Sequence, residues 1–301
     1  MNKPFFSRKI NKNFFWIIGD RILIYYLSKR SKFLSQERGA PIAVFANDWI
    51  GANIFLKGIY EKDIIDDLFC VIDELDKDIY NNSILDVGAN IGNHSIQFSK
   101  KFDKILSFEP HKRIFEILSS NVKQFKNIEC FNFGLGKKNC QINLFEDSQN
   151  FGASSSTNNS ETKSHSKIEI KKLDDFFSNM TQKISLIKID VEGMEYDVLL
   201  GAKNIIEKNK PIICFEQNKK EFGNNCNETN SIDLLRANGY KMLVGEMEKD
   251  HMKQNWIYRR LRNIFWIFFG VTQNRIIKEY ERLPKKDYKM IFAIHESKFF
   301  K

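Results

Sequence analysis

One stretch constrains this chain more than any other: Ile84-Leu85-Asp86-Val87-Gly88-Ala89-Asn90-Ile91-Gly92-Asn93-His94-Ser95. A short apolar run ends in an acid. A turn bounded by two glycines follows, and then a helical pattern begins, with Ile96 and Phe98 leading on to Lys101. Strand, tight turn and helix start, in that order, are the unit of an open α/β sheet, where ligands bind at the carboxyl ends of the strands.

The chain on either side repeats that alternation. Strands are expected at 83–87, 104–109, 128–133, 185–190, 211–216, 240–244 and 289–294, and helices at 61–78, 92–101, 111–123, 194–208 and 230–238. Residues 42–58 read as two short strands around a turn, and 141–145 with 167–172 as an inserted hairpin. Two segments interrupt the pattern. Residues 146–166 are polar and rich in Ser and Asn, the composition of a mobile loop. Residues 248–287 hold a basic aromatic run, Trp256 to Gly270, with Ile257, Leu261, Ile264, Phe265 and Phe268 on one helical stripe. That stripe fits a lipid-facing helix, a helix packed on the domain, or a dimer contact.

Charge is distributed unevenly. Residues 1–40 carry nine Lys and Arg against two Asp and Glu, and residues 250–301 carry twelve against five. The middle of the chain is net acidic, with 26 against 31. A nucleic-acid binder is expected to place its positive charge on the working domain. Basic charge mixed with aromatics on the extensions instead suggests peripheral membrane contact, through 1–38 and 256–271. The apolar run from Phe14 is broken by Asp20-Arg21, short of the roughly 20 residues that a spanning helix needs. With no cleavage signal and five scattered cysteines lacking zinc spacing, a reducing cytoplasmic setting is expected, with no metal centre.

Three constellations carry chemistry. In the first, Gly88 and Gly92 let backbone approach a ligand, with Ala89, Asn90 and Asn93 completing the turn. A dinucleotide fold would carry a glycine where Asn90 stands, and a free Asp86 carboxylate would repel a pyrophosphate. S-adenosylmethionine, with a sulfonium and an ammonium, has the sign that this acid favours. In the second, Glu109 ends the next strand 23 residues after Asp86, followed by Pro110, where an acid can accept from both ribose hydroxyls of an adenosine. It also reads as a helix cap. The third is Lys188-Ile189-Asp190-Val191-Glu192-Gly193-Met194-Glu195. Its crowded acids suit general base work on a hydroxyl, and equally suit a divalent cation or a helix N-terminus. Asp190, Glu192 and Glu195 are the candidate catalytic residues. Glu216, at another strand end, would face the same crevice in a parallel sheet, and His94 stands at a helix start beside the ligand turn.

Taken together, Asp86 to His94, Phe108-Glu109-Pro110, Leu173-Asp174-Asp175-Phe176 and Lys188 to Glu195 resemble the FkbM family of S-adenosylmethionine-dependent methyltransferases. The resemblance covers about residues 42–246 and the final strand. It implies an α/β, doubly wound, mostly parallel seven-stranded sheet with the last strand antiparallel. A helical N-terminal extension and an insertion before the last strand would be added to it. It implies that Asp86 to Asn93 surround the methionine part of the cofactor, that Glu109 holds the ribose, and that Asp190 lies near the transferred methyl. The organisation expected is a basic, aromatic extension with a short hairpin over 1–60 and a methyltransferase domain over 61–301.

Such enzymes mostly methylate hydroxyls of sugars, polyketides and other small molecules, and many serve surface-polysaccharide pathways. The reading is therefore O-methylation of a glycan, glycolipid or small-molecule hydroxyl, in the cytoplasm or at the inner membrane face. Methylation of nucleic acid and a non-catalytic binding module are the alternatives. Asp190-Val-Glu-Gly stands where base-methylating enzymes carry a motif that stacks an extruded base.

Overall fold

The computed structural model describes residues 14–45, 48–146, 164–178, 182–222, 228–248 and 274–299. In chain order the helices are α1 (Phe14–Arg38), α2 (Trp49–Lys57), α3 (Lys62–Leu75), α4 (Asn93–Phe98), α5 (Lys112–Val122), α6 (Leu173–Phe176), α7 (Glu195–Gly201), α8 (Lys203–Asn209) and α9 (Asn230–Ala237). The strands are β1 (Ser83–Val87), β2 (Lys104–Phe108), β3 (Ile128–Phe131), β4 (Gly134–Gly136), β5 (Cys140–Glu146), β6 (Ser164–Lys172), β7 (Ile184–Ile189), β8 (Ile212–Gln217), β9 (Tyr240–Met247), β10 (Arg275–Tyr280) and β11 (Tyr288–His295).

The main sheet runs in the order β10-β9-β11-β8-β7-β1-β2-β3. β3, β2, β1, β7 and β8 are mutually parallel, and β11 inserts antiparallel between β8 and β9. The seven expected strands are thus all present, with the last one antiparallel. The chain leaves β1 for β2 on one side and returns to β7 on the other. This makes the carboxyl ends of β1 and β7 the switch point where α/β sheets take ligands.

The central strands are apolar on both faces because helices cover both. Leu85, Leu106, Ile187 and Phe215 join the core on one side, and Ile84, Ile105, Leu186 and Cys214 join the core on the other. β5 and β6 form the expected hairpin, and β6 also pairs with β4 to complete a small separate sheet.

Three elements differ from expectation. Among the described residues of 42–58 there is no strand pair: α2 is a helix, capped by Asp48, whose Oδ2 accepts from the Gly51 amide at 3.1 Å. The cap and the close approach of Gly51 to Phe45 fix a helix entry that short apolar runs could not distinguish from strands. The 194–208 helix is two, α7 and α8, meeting at Ala202. The sheet also gains an eighth strand, β10, from within the 248–287 insertion. It pairs antiparallel with β9 and is pinned by Arg275, whose guanidinium bonds Asp67 and lies 3.2 Å from Asp63 on α3. The Ser/Asn-rich loop up to Lys163 and the Trp256–Gly270 stripe lie outside the described residues. Among those described, no helix is long and apolar enough to cross a membrane.

Candidate active site

The parallel register seats Asp86 between Ser107 of β2 and Lys188 of β7. A polar layer runs through the sheet at this level. Ser95 Oγ donates to Asp86 Oδ2 at 2.5 Å and lies 2.9 Å from Ser107 Oγ. Lys188 Nζ is 3.1 Å from Asp86 Oδ1 and 3.5 Å from Asp190 Oδ2, and it donates to the Gly88 carbonyl at 2.9 Å. Its flanking acids hold the Lys188 ammonium charged despite complete burial. Asp86 is therefore not the free strand-end carboxylate expected. It is fully buried, neutralised by Lys188, and absent from the wall of the cavity above it.

That cavity, of about 320 Å³, opens over the ends of β1, β2, β7 and β8. Gly88, Ala89, Asn90, Asn93, Glu109, Pro110, Asp190 and Glu192 all line it, as do His94 and Glu216. Asp86, Gly92 and Glu195 do not. Gly88 (φ 76°) is where the chain leaving β1 closes on the chain leaving β7, since a Cβ there would sit 1.8 Å from the Asp190 carbonyl oxygen. Gly92 (φ 90°) serves the entry to α4, where a Cβ would meet Leu118 of α5 at 2.9 Å. Its constraint is packing, not access of a ligand.

Glu109 is almost completely buried. It accepts from the Asn90 amide at 3.1 Å and the His111 amide at 2.8 Å, one on each carboxylate oxygen. Burial pushes its carboxyl up to about 7, although both amides work the other way. The carboxylate thus braces the glycine turn, and each oxygen keeps a lone pair for a ligand hydroxyl. Asn93 spends its amide group on the chain: Oδ1 accepts from the Tyr60 amide at 3.1 Å and Nδ2 donates to the Tyr60 carbonyl at 2.9 Å. This clamp brings in Tyr60 and Glu61, which sequence reasoning missed.

Glu61 enters α3 in a left-handed conformation (φ 54°), with its carboxylate at the cavity wall. Its Oε2 lies 3.7 Å from His94 Nε2, a buried atom with no hydrogen-bond partner, and Oε1 lies 3.8 Å from Lys289 Nζ. Desolvation pulls His94 down to about 4, so its imidazole is neutral near pH 7. Glu216 hydrogen-bonds Asp190, and burial followed by the neighbouring acids pushes Glu216 up to about 8. Glu192, also left-handed (φ 54°), is raised by burial and by Asp190.

Glu195 points elsewhere. Its Oε1 accepts from the Val191 and Gly193 amides, each at 3.2 Å, closing the turn that presents Asp190 and Glu192. The helix-start reading of this acid describes it, because the turn ahead of a helix leaves amides that only a local acceptor can satisfy. The missed Lys188 had a signal in the sequence: a lysine inside Ser-Leu-Ile-Lys-Ile-Asp, a strand too apolar to be solvated. Glu61 and Lys289 had none, since long-range packing alone places them. Among the described residues, no group of His, Cys, Asp and Glu is arranged to hold a metal ion.

The family model "Methyltransferase FkbM domain" matches residues 86–242, just over half of the chain, including the ends of β1, β2, β7 and β8 that border the cavity. Methyltransferase 1 of Beauveria bassiana (strain ARSEF 2860) is 27% identical over 183 residues, covering 53% of this chain and 71% of that protein. The crystal structure of methyltransferase FkbM from Methylobacillus flagellatus KT aligns with a TM-score of 0.34 at 18% identity, over 64% of this chain and 48% of that one. The chain thus spans about half the length of that relative. An S-adenosylmethionine-dependent O-methyltransferase from Thermotoga maritima aligns with a TM-score of 0.40 at 9% identity, over 81% and 69% of the two chains.

Proposed function

The chain belongs to the FkbM family of S-adenosylmethionine-dependent methyltransferases, and from that premise we propose that it methylates a hydroxyl of a glycan or glycolipid of the surface-polysaccharide type. The observation that carries this reading is the carboxylate rim. Glu61, Asp190, Glu192 and Glu216 converge on one side of a single cavity, with His94 and Tyr60 beside them. Carboxylates accept from several hydroxyls at once, which suits a polyol. The same cluster repels a phosphodiester, which weighs against a nucleic-acid acceptor. Of the two lysines at the wall, Lys188 is neutralised by Asp86 and Asp190, and Lys289 lies at the exposed edge.

The residues suit the cofactor as well. Glu109 keeps acceptor capacity for ribose hydroxyls, the backbone of Gly88 to Asn90 faces the cavity, and Leu135, Ile168 and Ile170 give an apolar wall for an adenine. When bound, S-adenosylmethionine supplies an electrophilic methyl group. The protein's own task is to fix the acceptor oxygen in line, which is worth up to about 7–11 kcal/mol when geometry is good, and to take its proton. Asp190 is the base in this reading, Glu192 positions a neighbouring hydroxyl, and protonated Glu216 donates to Asp190. Asp86 acts only through Lys188, and Glu195 only through the turn it closes.

The test is transfer of a labelled methyl group from S-adenosylmethionine to fractions of a cell extract. Label in polysaccharide or lipid-linked glycan is expected, and it should disappear with Asp190→Asn. Label confined to RNA or DNA would overturn the reading.

A further inference from the structure

Eleven large hydrophobic side chains are exposed among the described residues, and ten of them lie on α1 and α2. On α1, Ile22, Tyr25 and Phe33 are each more than 60% exposed, and on α2 Trp49 is 70% and Leu56 55% exposed. Such side chains scattered singly would mean little, but gathered on two touching helices they mark an interaction surface. The two helices form one platform. The Arg30 guanidinium donates twice to the Leu56 carbonyl, at 2.7 and 2.9 Å, joining the middle of α1 to the end of α2. Leu34, a buried apolar residue of α1, packs over Gly58 just beyond α2.

The charge of the platform selects the occupant. Arg21, Lys29, Arg30 and Lys32 stand among the apolar residues of α1, against Asp20 and Glu37. Lys29 Nζ lies 4.7 Å from the Tyr25 ring centre, so cation and aromatic share one face. A second copy of the chain would set these cations against their own images. An anionic lipid surface answers both features, taking apolar and aromatic side chains below its headgroups and cations among them. Among the described residues no helix is long and apolar enough to cross a membrane, and on such a surface α1 would lie flat.

We propose that α1 and α2 dock the protein on an anionic lipid bilayer and seat the mouth of the active-site cavity at the headgroup layer. The second half of this statement follows from chain continuity. Ile50, next to the exposed Trp49, lines the cavity, and Tyr60 and Glu61 line it just past α2. Docking itself is independent of the acceptor; its purpose, access to a lipid-linked glycan, rests on the reading above.

The experiment is co-sedimentation of the full chain with phosphatidylcholine vesicles with and without phosphatidylglycerol, at low and high salt. The comparison variant is Trp49→Ser/Phe55→Ser/Leu56→Ser, whose affinity for S-adenosylmethionine, measured by calorimetry, should match the wild type and so report a folded site. Wild type should bind the anionic vesicles, weaken with salt, and lose at least about tenfold in affinity in the triple variant, the factor that 1.4 kcal/mol represents. Absence of binding to either vesicle, or equal binding by the triple variant, would overturn the proposal. So would a dimer seen by light scattering that the triple substitution abolishes, since the face would then be covered by a second copy. Vesicle binding is read without any acceptor, so a failed methyl-transfer assay would count against the acceptor class and not against docking.

Discussion

Lys188 Nζ lies 3.1 Å from Asp86 Oδ1 in the middle of the sheet, with the two side chains 3% and 0% exposed. Replacing Lys188 by Met would leave a carboxylate buried with Ser95 as its remaining donor. Breaking such a pair from one side costs about 3–5 kcal/mol, while replacing both charges is far milder. Urea unfolding should show a loss of that size in Lys188→Met. Most of it should be recovered in the double variant Asp86→Asn/Lys188→Met. A Lys188→Met protein as stable as wild type would contradict the buried pairing.

Glu195 gives the opposite expectation from the one that its place in an acidic motif suggests. Because it binds the Val191 and Gly193 amides and stays off the cavity wall, Glu195→Ala should cost about 1–3 kcal/mol of stability, the range for a buried donor left without its partner. The affinity for S-adenosylmethionine should be unchanged, and kcat should fall much less than in Asp190→Asn. Equal losses of kcat in the two variants, with stability intact, would return Glu195 to the chemistry.

His94 links stability to pH. Its folded value of about 4 lies below the ordinary 6.5, with desolvation the leading cause and Lys188 adding to it against the pull of Asp86 and Asp190. Glu61 also faces it, at 3.7 Å. As pH falls below 6.5 the unfolded chain takes up a proton that the native chain refuses, so stability declines until about pH 4. The loss attributable to this ring is about 3 kcal/mol, at 1.36 kcal/mol for each pH unit of displacement. Glu109 runs the other way: its raised carboxyl contributes stability below the ordinary carboxylate range that is lost as pH rises through about 7. The reading is therefore the difference between wild type and His94→Gln in unfolding free energy at pH 4.5 and pH 7. Curves that stay parallel would show that the ring is charged, or solvated, in the folded protein.

Which parts of this picture were legible in the sequence follows from how far each feature reaches along the chain. β1, the glycine turn and α4 are local: an apolar run, two positive-φ glycines and a helical stripe, all between Ser83 and Phe98. Glu109, Asp190 and Glu216 could be placed because each ends a strand, and parallel strands bring their ends together. The burial of Asp86 could not be read from its neighbours, because its partner Lys188 is set by the register of β7 against β1. Glu61 depends on a clamp between Asn93 and Tyr60, 33 residues apart. Strand β10 was hidden for a similar reason. Arg275-Ile-Ile-Lys-Glu-Tyr280 alternates too weakly to declare itself, and it owes its position to Asp63 and Asp67, far away along the chain.

The hydrogen bond between Glu216 and Asp190 sets the expected pH dependence of turnover. With Glu216 pushed up to about 8, the pair retains a proton at neutral pH, and the protonated carboxyl donates to Asp190. That hydrogen bond occupies an Asp190 oxygen that the acceptor hydroxyl would otherwise use. Loss of the proton removes that bond and frees that oxygen to take the proton of the acceptor hydroxyl. In the proposed mechanism kcat/KM should therefore rise as pH increases through about 8 and then level off, reporting the free enzyme. Glu216→Gln fixes a neutral donor in place, so its profile should be flat across that range at the lower, near-neutral level. Asp190→Asn should lower kcat by about 10²–10⁴-fold, the usual contribution of a general base, with the affinity for S-adenosylmethionine kept. A Glu216→Gln enzyme that still shows a rise near pH 8, or an Asp190→Asn enzyme with wild-type kcat, would remove this pair from the chemical step and leave Glu61, Glu192 and His94 as groups at the cavity wall able to take the proton.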